Sequence, residues 1–261
     1  MDRADALDRR RFLSRLAAGA GALALGGCDR LTTTQWFPRL LDSAESLTRR
    51  VQHFLVGPHA LAREYTEADL SPHFKSNGTF EPEDDGYLAL AKDGFTAWRL
   101  EIGGLVERPL SLSLAELRAL PSRTQITRHD CVEGWSCIGK WKGVPLGLLL
   151  DRAGVRTEAR YVVFFCADPM EETLDGSDTR YYESTDLATA YHPQTILAYD
   201  MNDAPLPVPN GAPLRLRNER QLGYKMAKYL MRIELVASFA DIRGGRGGYW
   251  EDLGYEWYAG I

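Results

Sequence analysis

An α+β fold with mixed β-sheets and short helices is predicted by the pattern of apolar residues along this 261-residue chain. Segments typical of buried strands are interspersed with short helical segments and long loops, without the regular strand–helix alternation of a parallel α/β sheet. No internal repeat, low-complexity tract or Pro/Gly linker divides the sequence after its first segment. We therefore expect a leader at 1–28, an N-terminal helix or linker at 29–70 and one domain at 71–261.

The segment before the domain has the apolar spacing of an amphipathic helix. The sequence "VGPHA" at 56–60 ends the pattern, since Gly and Pro interrupt helices. Such a helix either packs on the domain or forms a stalk. Its apolar face consists of Leu40, Leu41, Ala44, Leu47, Val51, Phe54 and Leu55.

A strand, a turn and a short helix are predicted over 97–121. Ser113 and Glu116 have the spacing of a capping box at the start of the helix, and Pro121 lies just beyond its end. A second helix over 144–155 ends at Gly154.

Further strands are predicted where apolar or alternating residues form short runs. One leads directly into Cys131, and a continuous apolar run ends at Cys166. These strands cover 124–131, 159–168, 212–220 and 229–237.

Composition excludes several functional classes. The formal net charge of −5 and the pI near 5.6 give no electrostatic footprint for nucleic acid. Four cysteines are too few for a disulfide scaffold and lack the paired spacing of a structural zinc site. They are Cys28, Cys131, Cys137 and Cys166.

The first 28 residues predict export. Arg9–Arg11 precede Phe12 and a short Ala/Gly/Leu run, which resembles a twin-arginine signal. The sequence Leu25–Cys28 resembles a lipobox, so we expect a periplasmic protein tethered to the membrane by lipid on Cys28. A plain cleaved signal with an incidental cysteine is the alternative. Twin-arginine export often carries proteins folded around a cofactor, which favours a redox cofactor here.

Two segments contain residues suited to cofactor chemistry. Cys131 stands at the end of a strand, where it is either an inert core thiol or a soft ligand for a redox metal. Arginines and lysines concentrated in fourteen residues form either a phosphate-binding cluster or a solvated strand face. These basic residues are Arg215, Arg217, Arg220, Lys225 and Lys228.

Together these segments resemble a known family. "RHDCVEGWS" contains Cys131, "FKSNGTFEP" contains Asn77, and "YHPQTILAYDMN" contains His192, followed by "LPVPNGAPLRLR" and "GYKMAK". Between about Ser71 and Val236 the chain resembles the sulfite oxidase superfamily of molybdenum enzymes. It is most similar to the branch with the periplasmic methionine sulfoxide reductase catalytic subunit. The resemblance implies a sulfite-oxidase-type molybdopterin-binding domain, here without a C-terminal dimerisation domain.

The resemblance also implies site residues. Cys131 corresponds to the thiolate ligand of molybdenum, and Glu133 and His192 are candidate catalytic groups. For Glu133 an exposed loop carboxylate is the alternative, and for His192 simple packing. The residues expected to contact the molybdenum-molybdopterin cofactor (Mo-MPT) are Asn77, Gly78, Thr79, Phe80, Glu81, Cys131, Cys166, Asn210, Arg215, Met226, Ala227 and Lys228.

The sequence departs from its relatives at three positions. Ser136 stands where sulfite oxidases have an arginine that holds the sulfite dianion, so we expect poor sulfite binding. Cys137 stands where the reductase branch has methionine, and Cys166 where it has threonine. For the two extra thiols, a disulfide, an effect on the metal environment and simple packing all stay open. Packing or cofactor contact is favoured for Cys166, and Cys137 receives no role.

The expected function is oxygen-atom transfer by an exported molybdenum-pterin oxidoreductase. Reduction of a small S-oxide or N-oxide is favoured, with electrons exchanged with a membrane haem-b protein or a c-type cytochrome. We expect a monomeric catalytic subunit with a small-molecule substrate. The alternatives are oxidation of a sulfur compound and a cofactor-free binding lipoprotein.

Overall fold

The computed structural model describes residues 60–171 and 178–261, together with scattered positions between 34 and 57. The chain divides into two compact units, Met1–Leu55 and Val56–Ile261. In the first unit, the described positions between 44 and 54 are helical, as the apolar spacing predicts. The leader with Cys28, and Leu40, Leu41 and Leu55 of the predicted helix, lie outside the described residues.

The strands of the second unit are numbered in chain order. They are β1 (Arg99–Gly104), β2 (Leu110–Ser113), β3 (Arg123–Asp130), β4 (Ser136–Pro145), β5 (Tyr161–Pro169), β6 (Arg180–Asp186), β7 (Ile196–Met201), β8 (Ala204–Pro205), β9 (Arg215–Arg217) and β10 (Leu230–Val236).

The helices are short and lie between the strands. They are α1 (Asp85–Lys92), α2 (Leu114–Arg118), α3 (Leu146–Ala153), α4 (Leu187–Ala190) and α5 (Tyr249–Asp252), with 3-10 turns at Glu67–Asp69, Val208–Asn210 and Gly223–Lys225. None of the helices in the described part of the chain has both the length and the hydropathy needed to span a lipid bilayer.

Two sheets organise the unit, one mixed and one antiparallel. One has the order β2-β1-β10-β5-β6, in which only the β1–β10 pair is parallel. The other has the order β3-β4-β7-β8, and β9 adds to β7. The largest buried cluster includes apolar side chains from both sheets and from α3, such as Leu100, Leu149, Phe164 and Leu197. The predicted α+β class is confirmed.

Local signals read from the sequence act as expected at two helix ends. The Ser113 hydroxyl accepts the N–H of Glu116 at 3.2 Å, and the Glu116 carboxylate accepts the N–H of Ser113 at 2.8 Å, so α2 begins with a complete capping box. Helix α3 ends at Gly154, whose φ of 70° lies in the left-handed region that glycine adopts freely.

Strand β4 was not anticipated, although it is the longest strand in the described residues. Two of its ten residues are glycine, which lowers strand propensity. At Gly143 a side chain is excluded, because a Cβ atom would come within 2.1 Å of the Leu197 carbonyl oxygen of β7. The glycine that weakens the sequence pattern is therefore required by the close approach of two strands.

The turn between β3 and β4 presents Cys131. Strand β3 ends at Asp130, the Cys131 N–H donates to the Trp135 carbonyl at 2.9 Å, and the Gly134 N–H donates to the Cys131 carbonyl at 3.0 Å. Gly134 has a φ of 85°, which allows the chain to reverse there. The turn holds the thiol at the end of the sheet, as predicted for a strand leading into Cys131.

Candidate active site

Three separate segments meet around a cavity of about 160 Å³ beside Cys131. The loop 77–79 forms one wall, Cys131 and Glu133 come from the β3–β4 turn, and Met226 and Lys228 come from the segment before β10. All of these residues were predicted from the sequence to belong to one site. The structure brings them together although they are distant in the chain.

Cys131 is buried, and its thiol is free. Burial raises the pKa of this thiol above its ordinary value, and the nearby Glu133 carboxylate raises it further. The metal-free protein therefore holds a neutral thiol, which a bound metal ion would deprotonate. Cys137 and Cys166 are also free thiols.

Glu133 lies at the edge of the cavity and is held in place by its neighbours. The Trp135 indole N–H donates to its carboxylate at 2.8 Å, and the Lys75 ammonium lies 3.6 Å from it. The hydrogen bond from Trp135 lowers the pKa of Glu133, and Lys75 lowers it further. Glu133 is thus an ionised hydrogen-bond acceptor facing the same cavity as the Cys131 thiol.

The ammonium group of Lys228 donates hydrogen bonds to backbone carbonyls and not to a carboxylate. Its Nζ donates to the carbonyls of Asn77 at 2.6 Å and Pro209 at 3.1 Å, and to that of Thr79. Gly211 packs directly on the Lys228 side chain, where a Cβ atom would lie 2.9 Å from the lysine Cβ. Burial lowers the pKa of Lys228 to about 7, and Arg215 contributes in the same direction.

Arg215 is completely buried behind Lys228 and Met226. Its guanidinium donates to the Asn210 carbonyl at 2.9 Å and to the Met226 carbonyl at 3.3 Å, and lies 5.2 Å from the Trp141 ring centre. The Nε of Arg215 has no hydrogen-bond partner among the described residues. Arg215 and Lys228 also form no ion pair with any described side chain.

The neighbouring cations are different, because carboxylates neutralise them. Arg217 forms a two-point ion pair with Glu219, with N–O distances of 2.9 and 2.5 Å. Lys225 contacts Glu183 and, at 2.5 Å, Glu251. All of these side chains are buried. They fill the interior with compensated charge.

Arg217 also determines the state of a buried histidine. Its Nη1 lies 2.9 Å from Nδ1 of His129, and since arginine only donates, Nδ1 accepts and the ring proton is on Nε2. Burial lowers the pKa of His129 well below its ordinary value, as does Arg217. Gly223 leaves room for this ring, because a Cβ atom there would lie 2.4 Å from Nε2.

Seven predicted residues do not line the cavity, and three of them, Asn210, Arg215 and Ala227, are buried. Phe80 and Glu81 are exposed, and Cys166 is buried behind Asp168. His192 is buried, with its Nε2 3.1 Å from the Ala60 carbonyl and its Nδ1 accepting the Gln194 N–H at 3.2 Å. Both nitrogens therefore contact backbone, His192 is not among the described residues that line the cavity, and its catalytic role stays a prediction. Ala227 is buried beside the cavity segment.

Several cavity residues were missed by sequence reasoning. Asp168, which has one unpartnered carboxyl oxygen, lies at the end of β5, and burial raises its pKa to about 7. Tyr181 comes from β6 and donates to the Tyr224 carbonyl. The remaining wall is aromatic and apolar, and its main residues are Met170, Tyr224, Trp250 and Tyr255. The sequence signal for Asp168 is an acidic residue just after the apolar run of β5.

The side chains present fit an anionic cofactor that offers several hydrogen-bonding groups. Two buried cations lack a carboxylate partner, and buried cations are normally paired. Among the predicted cofactor-contact residues, three buried polar atoms also lack partners among the described residues, and such atoms usually find one. They are Asn77 Oδ1, Asn210 Nδ2 and Arg215 Nε. A soft thiol stands at the same cavity, as a redox metal with a cofactor of this kind requires.

Comparison with known families decides the class. Residues 88–241, more than half of the chain, match the family described as the oxidoreductase molybdopterin-binding domain. The chain belongs to this family. The molybdopterin-binding domain spans β1, the β3–β4 turn, β9 and β10. It therefore includes Cys131 and the two cations without a carboxylate partner, Arg215 and Lys228. The predictions of an enzyme and of a molybdenum-molybdopterin cofactor are confirmed.

Individual relatives carry the same domain. A protein of Azospira oryzae, provisionally named as protein-methionine-sulfoxide reductase subunit YedZ1, is 38% identical over 97% of this chain and 87% of its own length. The protein-methionine-sulfoxide reductase catalytic subunit MsrP of Xanthomonas axonopodis is 39% identical over 60% of this chain, which spans about half (48%) of that relative. MsrP of Campylobacter jejuni is 30% identical over 66% of this chain and 61% of its own length.

A solved structure shares the fold of the molybdopterin-binding domain. The sulfane dehydrogenase SoxCD from Paracoccus pantotrophus superposes with a TM-score of 0.51 at 22% identity, covering 72% of this chain and 47% of the SoxCD chain. At this identity the likeness concerns the fold alone. The family match leaves the alternative of a cofactor-free binding lipoprotein without support.

Proposed function

We propose that this protein reduces methionine sulfoxide at a molybdenum centre bound through Cys131, with electrons supplied by a separate haem protein. The MsrP relatives and the YedZ1 relative, all named for protein-methionine-sulfoxide reduction, support the choice of substrate. The free thiol at a cavity, beside buried cations without carboxylate partners, supports the choice of ligand.

The geometry supports a set of residues that would contact the cofactor. Arg215 and Lys228 would supply positive charge to the phosphate of the cofactor, and Asn77 and Asn210 would satisfy their unpartnered amide atoms on it. Gly78, Thr79 and Met226 would approach it along the cavity wall. When bound, the cofactor supplies a metal that takes up and releases electron pairs together with an oxygen atom.

The charge of the cavity wall supports a neutral S-oxide as the substrate. Lys228 is the only cation among the described residues that line the cavity, and it already donates hydrogen bonds to three carbonyl oxygens. Ser136, where a sulfite-binding arginine would stand, is exposed and donates to Asp130. The opposite wall is aromatic. A sulfite dianion would lose its hydration here without gaining an arginine fork.

The chemistry needs protons as well as electrons. A sulfoxide takes up two electrons and two protons and leaves as a sulfide and water. The reductant is the haem protein, and the protons come from water through groups at the cavity. Glu133 is ionised and oriented by Trp135, so it can accept and return a proton near the Cys131 thiol.

The location follows from the leader. Arg9–Arg11 support twin-arginine export, and Cys28 supports lipid attachment on the periplasmic side of the membrane. A domain tethered in this way would receive electrons from a haem protein of the same membrane. We propose that it acts there as a monomeric catalytic subunit.

The test uses protein purified from a molybdenum-replete host. We expect roughly one molybdenum per chain, and dye-linked reduction of methionine sulfoxide that exceeds sulfite oxidation. Cys131→Ser should lose bound molybdenum and turnover. Cys137→Ser is the matched control. This buried thiol is on β4 opposite His129, contacts the His73 carbonyl at 3.8 Å and does not line the cavity.

Two results would contradict the proposal. Full molybdenum content and activity in Cys131→Ser would remove the ligand assignment. Rapid sulfite oxidation without sulfoxide reduction would reverse the assigned reaction, and the wall without an arginine would then need another explanation.

A further inference from the structure

A second depression adjoins the cavity and has no assigned purpose. It is an open groove of about 440 Å³, and its wall is largely apolar. Leu222, Tyr258 and Ala259 belong to the groove alone, whereas Val132, Tyr224 and Tyr255 line both the groove and the cavity. The groove is therefore a continuation of the Cys131 cavity across the surface.

The groove has a fixed shape because backbone hydrogen bonds hold both of its sides. The Leu222 N–H donates to the Ala259 carbonyl at 2.9 Å, and the Ile261 N–H donates to the Arg220 carbonyl at 3.1 Å. The Tyr224 hydroxyl donates to the Glu256 carbonyl at 2.6 Å. These bonds fasten the last residues of the chain along 220–224, so the groove exists before anything binds.

The edge of the groove is unusually apolar for a surface. Val132 is 47% exposed and Tyr255 is 40% exposed, both at the junction with the cavity. Leu253 next to the groove is 60% exposed. Glu256 is the only charged residue among the described residues that line the groove. Exposed apolar side chains beside a substrate cavity favour a binding surface, because leaving them in water is unfavourable.

We propose that this groove binds the polypeptide on one side of a methionine sulfoxide residue, with a preference for apolar flanking side chains. The inference rests on the proposed function and deepens it. A sulfoxide side chain that enters the cavity leaves its own backbone at the cavity mouth. The neighbouring residues of that backbone then lie over Val132 and Tyr255, where the groove begins.

The relatives are named for reduction of protein-bound methionine sulfoxide, and the groove adds a place for the residues that flank it. Free methionine sulfoxide would enter only the part of the cavity that the cofactor leaves open, and its charged ammonium and carboxylate groups would lie against Val132 and Tyr255. A peptide has no charges at these places and gains burial of its flanking side chains. The groove therefore discriminates by what surrounds the sulfoxide rather than by the sulfoxide itself.

The experiment compares kcat/KM for free methionine sulfoxide, for a peptide with leucine and phenylalanine beside the sulfoxide, and for the same peptide with serine there. We expect the apolar peptide to exceed the serine peptide by about tenfold, the value of one well-buried side chain. Leu222→Gln should remove this advantage through KM and leave free methionine sulfoxide within about twofold, since Leu222 does not line the cavity.

Two controls keep the test decisive. Leu88→Gln changes an exposed leucine of α1 outside the groove and should alter neither peptide. If Leu222→Gln unfolds the protein, Leu222→Ala removes most of the same surface with a smaller perturbation. Molybdenum content is measured for every variant, so that a lost cofactor is not mistaken for a lost groove.

The outcomes are distinguishable. Equal kcat/KM for the two peptides in the wild type, or an unchanged preference in Leu222→Gln, would overturn the groove and leave sulfoxide reduction standing. A defect of Leu222→Gln only in electron delivery from a haem protein would assign the groove to the redox partner and also overturn the inference. Failure to reduce any sulfoxide would instead remove the proposed function.

Discussion

The basic segment around β9 contains two kinds of buried cation. Arg217 and Lys225, the paired cations, contact carboxylates of Glu219, Glu183 and Glu251. Arg215 and Lys228, the unpaired cations, donate hydrogen bonds only to carbonyl oxygens among the described residues. Along the chain, the two paired cations lie between the two unpaired ones. Lys228 lines the cavity, and Arg215 donates to the carbonyl of Met226, which also lines it.

The ionisation of these groups separates them further. Burial alone would lower the pKa of Lys225, but Glu183 and Glu251 raise it above its ordinary value. Burial lowers the pKa of Lys228 to about 7 and that of Arg215 to about 9, and the nearby carboxylates of Asp168 and Glu219, which form no ion pair with them, offset this only in part. Buried charge without an ion-pair partner favours the binding of an anion. We therefore propose that the unpaired cations face the cofactor.

The largest expected effect comes from removing a paired cation. Arg217→Met leaves Glu219 buried without its partner and should lower the free energy of unfolding by about 3–5 kcal/mol. Arg215→Met removes an uncompensated charge and loses two hydrogen bonds to carbonyls, so its cost should be only about 1–2 kcal/mol. Urea unfolding of the cofactor-free proteins measures both, and equal losses would erase the distinction.

Removing an unpaired cation should affect the cofactor instead. Lys228→Met loses a charge and three hydrogen bonds that hold 77–79 and Pro209 in place. We expect molybdenum and pterin retained per chain after dialysis to fall by about tenfold or more. The exposed Lys142→Met is the control and should retain both fully. Unchanged retention in Lys228→Met would mean that the phosphate is held elsewhere.

Trp141 is shared by both kinds of cation and sharpens the comparison. Its ring centre lies 4.3 Å from the Arg217 guanidinium and 5.2 Å from that of Arg215. Trp141→Phe loses no hydrogen bond, because the indole N–H has no partner among the described residues. The free energy of unfolding should fall by about 1–2 kcal/mol, with a parallel small loss of cofactor retention. A change in the free energy of unfolding alone would mean that the ring acts mainly through Arg217. A change in cofactor retention alone would mean that it acts mainly through Arg215.

The smallest expected effect is a pH dependence of anion binding. Lys228 is protonated below its folded pKa of about 7 and loses its charge as the pH rises above that value. Sulfate keeps the same charge over this range, so its affinity for the cofactor-free protein should fall about fivefold from pH 7 to pH 8. Calorimetric titration measures this fall. Asp168 in the same cavity has a pKa of about 7 and gains negative charge over this range, so it contributes in the same direction. Lys228→Met should bind weakly with a smaller pH dependence, and an undiminished dependence would exclude Lys228 as a titrating group.

Much of the fold could be predicted where one simple pattern dominates. Strand β5 is an apolar run and α2 has its capping box, so local signals suffice for both. Strand β6 is buried along most of its length but contains Glu183, Ser184 and Thr185. Its charge is compensated by Lys225, more than forty residues later in the chain. No local pattern contains that pairing, so β6 was not anticipated.

The site divides in the same way. Cys131 and the unpaired cations were identified from motifs, because cofactor contacts concentrate in short segments. Asp168 and Tyr181 reach the cavity through the pairing of β5 with β6, and such neighbours are set by sheet register rather than by sequence order. His192 shows the converse, since its motif predicted chemistry whereas its nitrogens contact backbone.

The hydrogen bonds of Lys228 also determine when the site can exist. Lys228 joins carbonyls of residues 151 and 149 positions earlier in the chain. Contacts of such separation form late, because the intervening chain must first lose its freedom. A chain synthesised only as far as β9 lacks the lysine that holds the 77–79 loop. The cofactor can therefore bind only after the cavity wall is complete. A chain that holds the cofactor is then a chain that has finished folding.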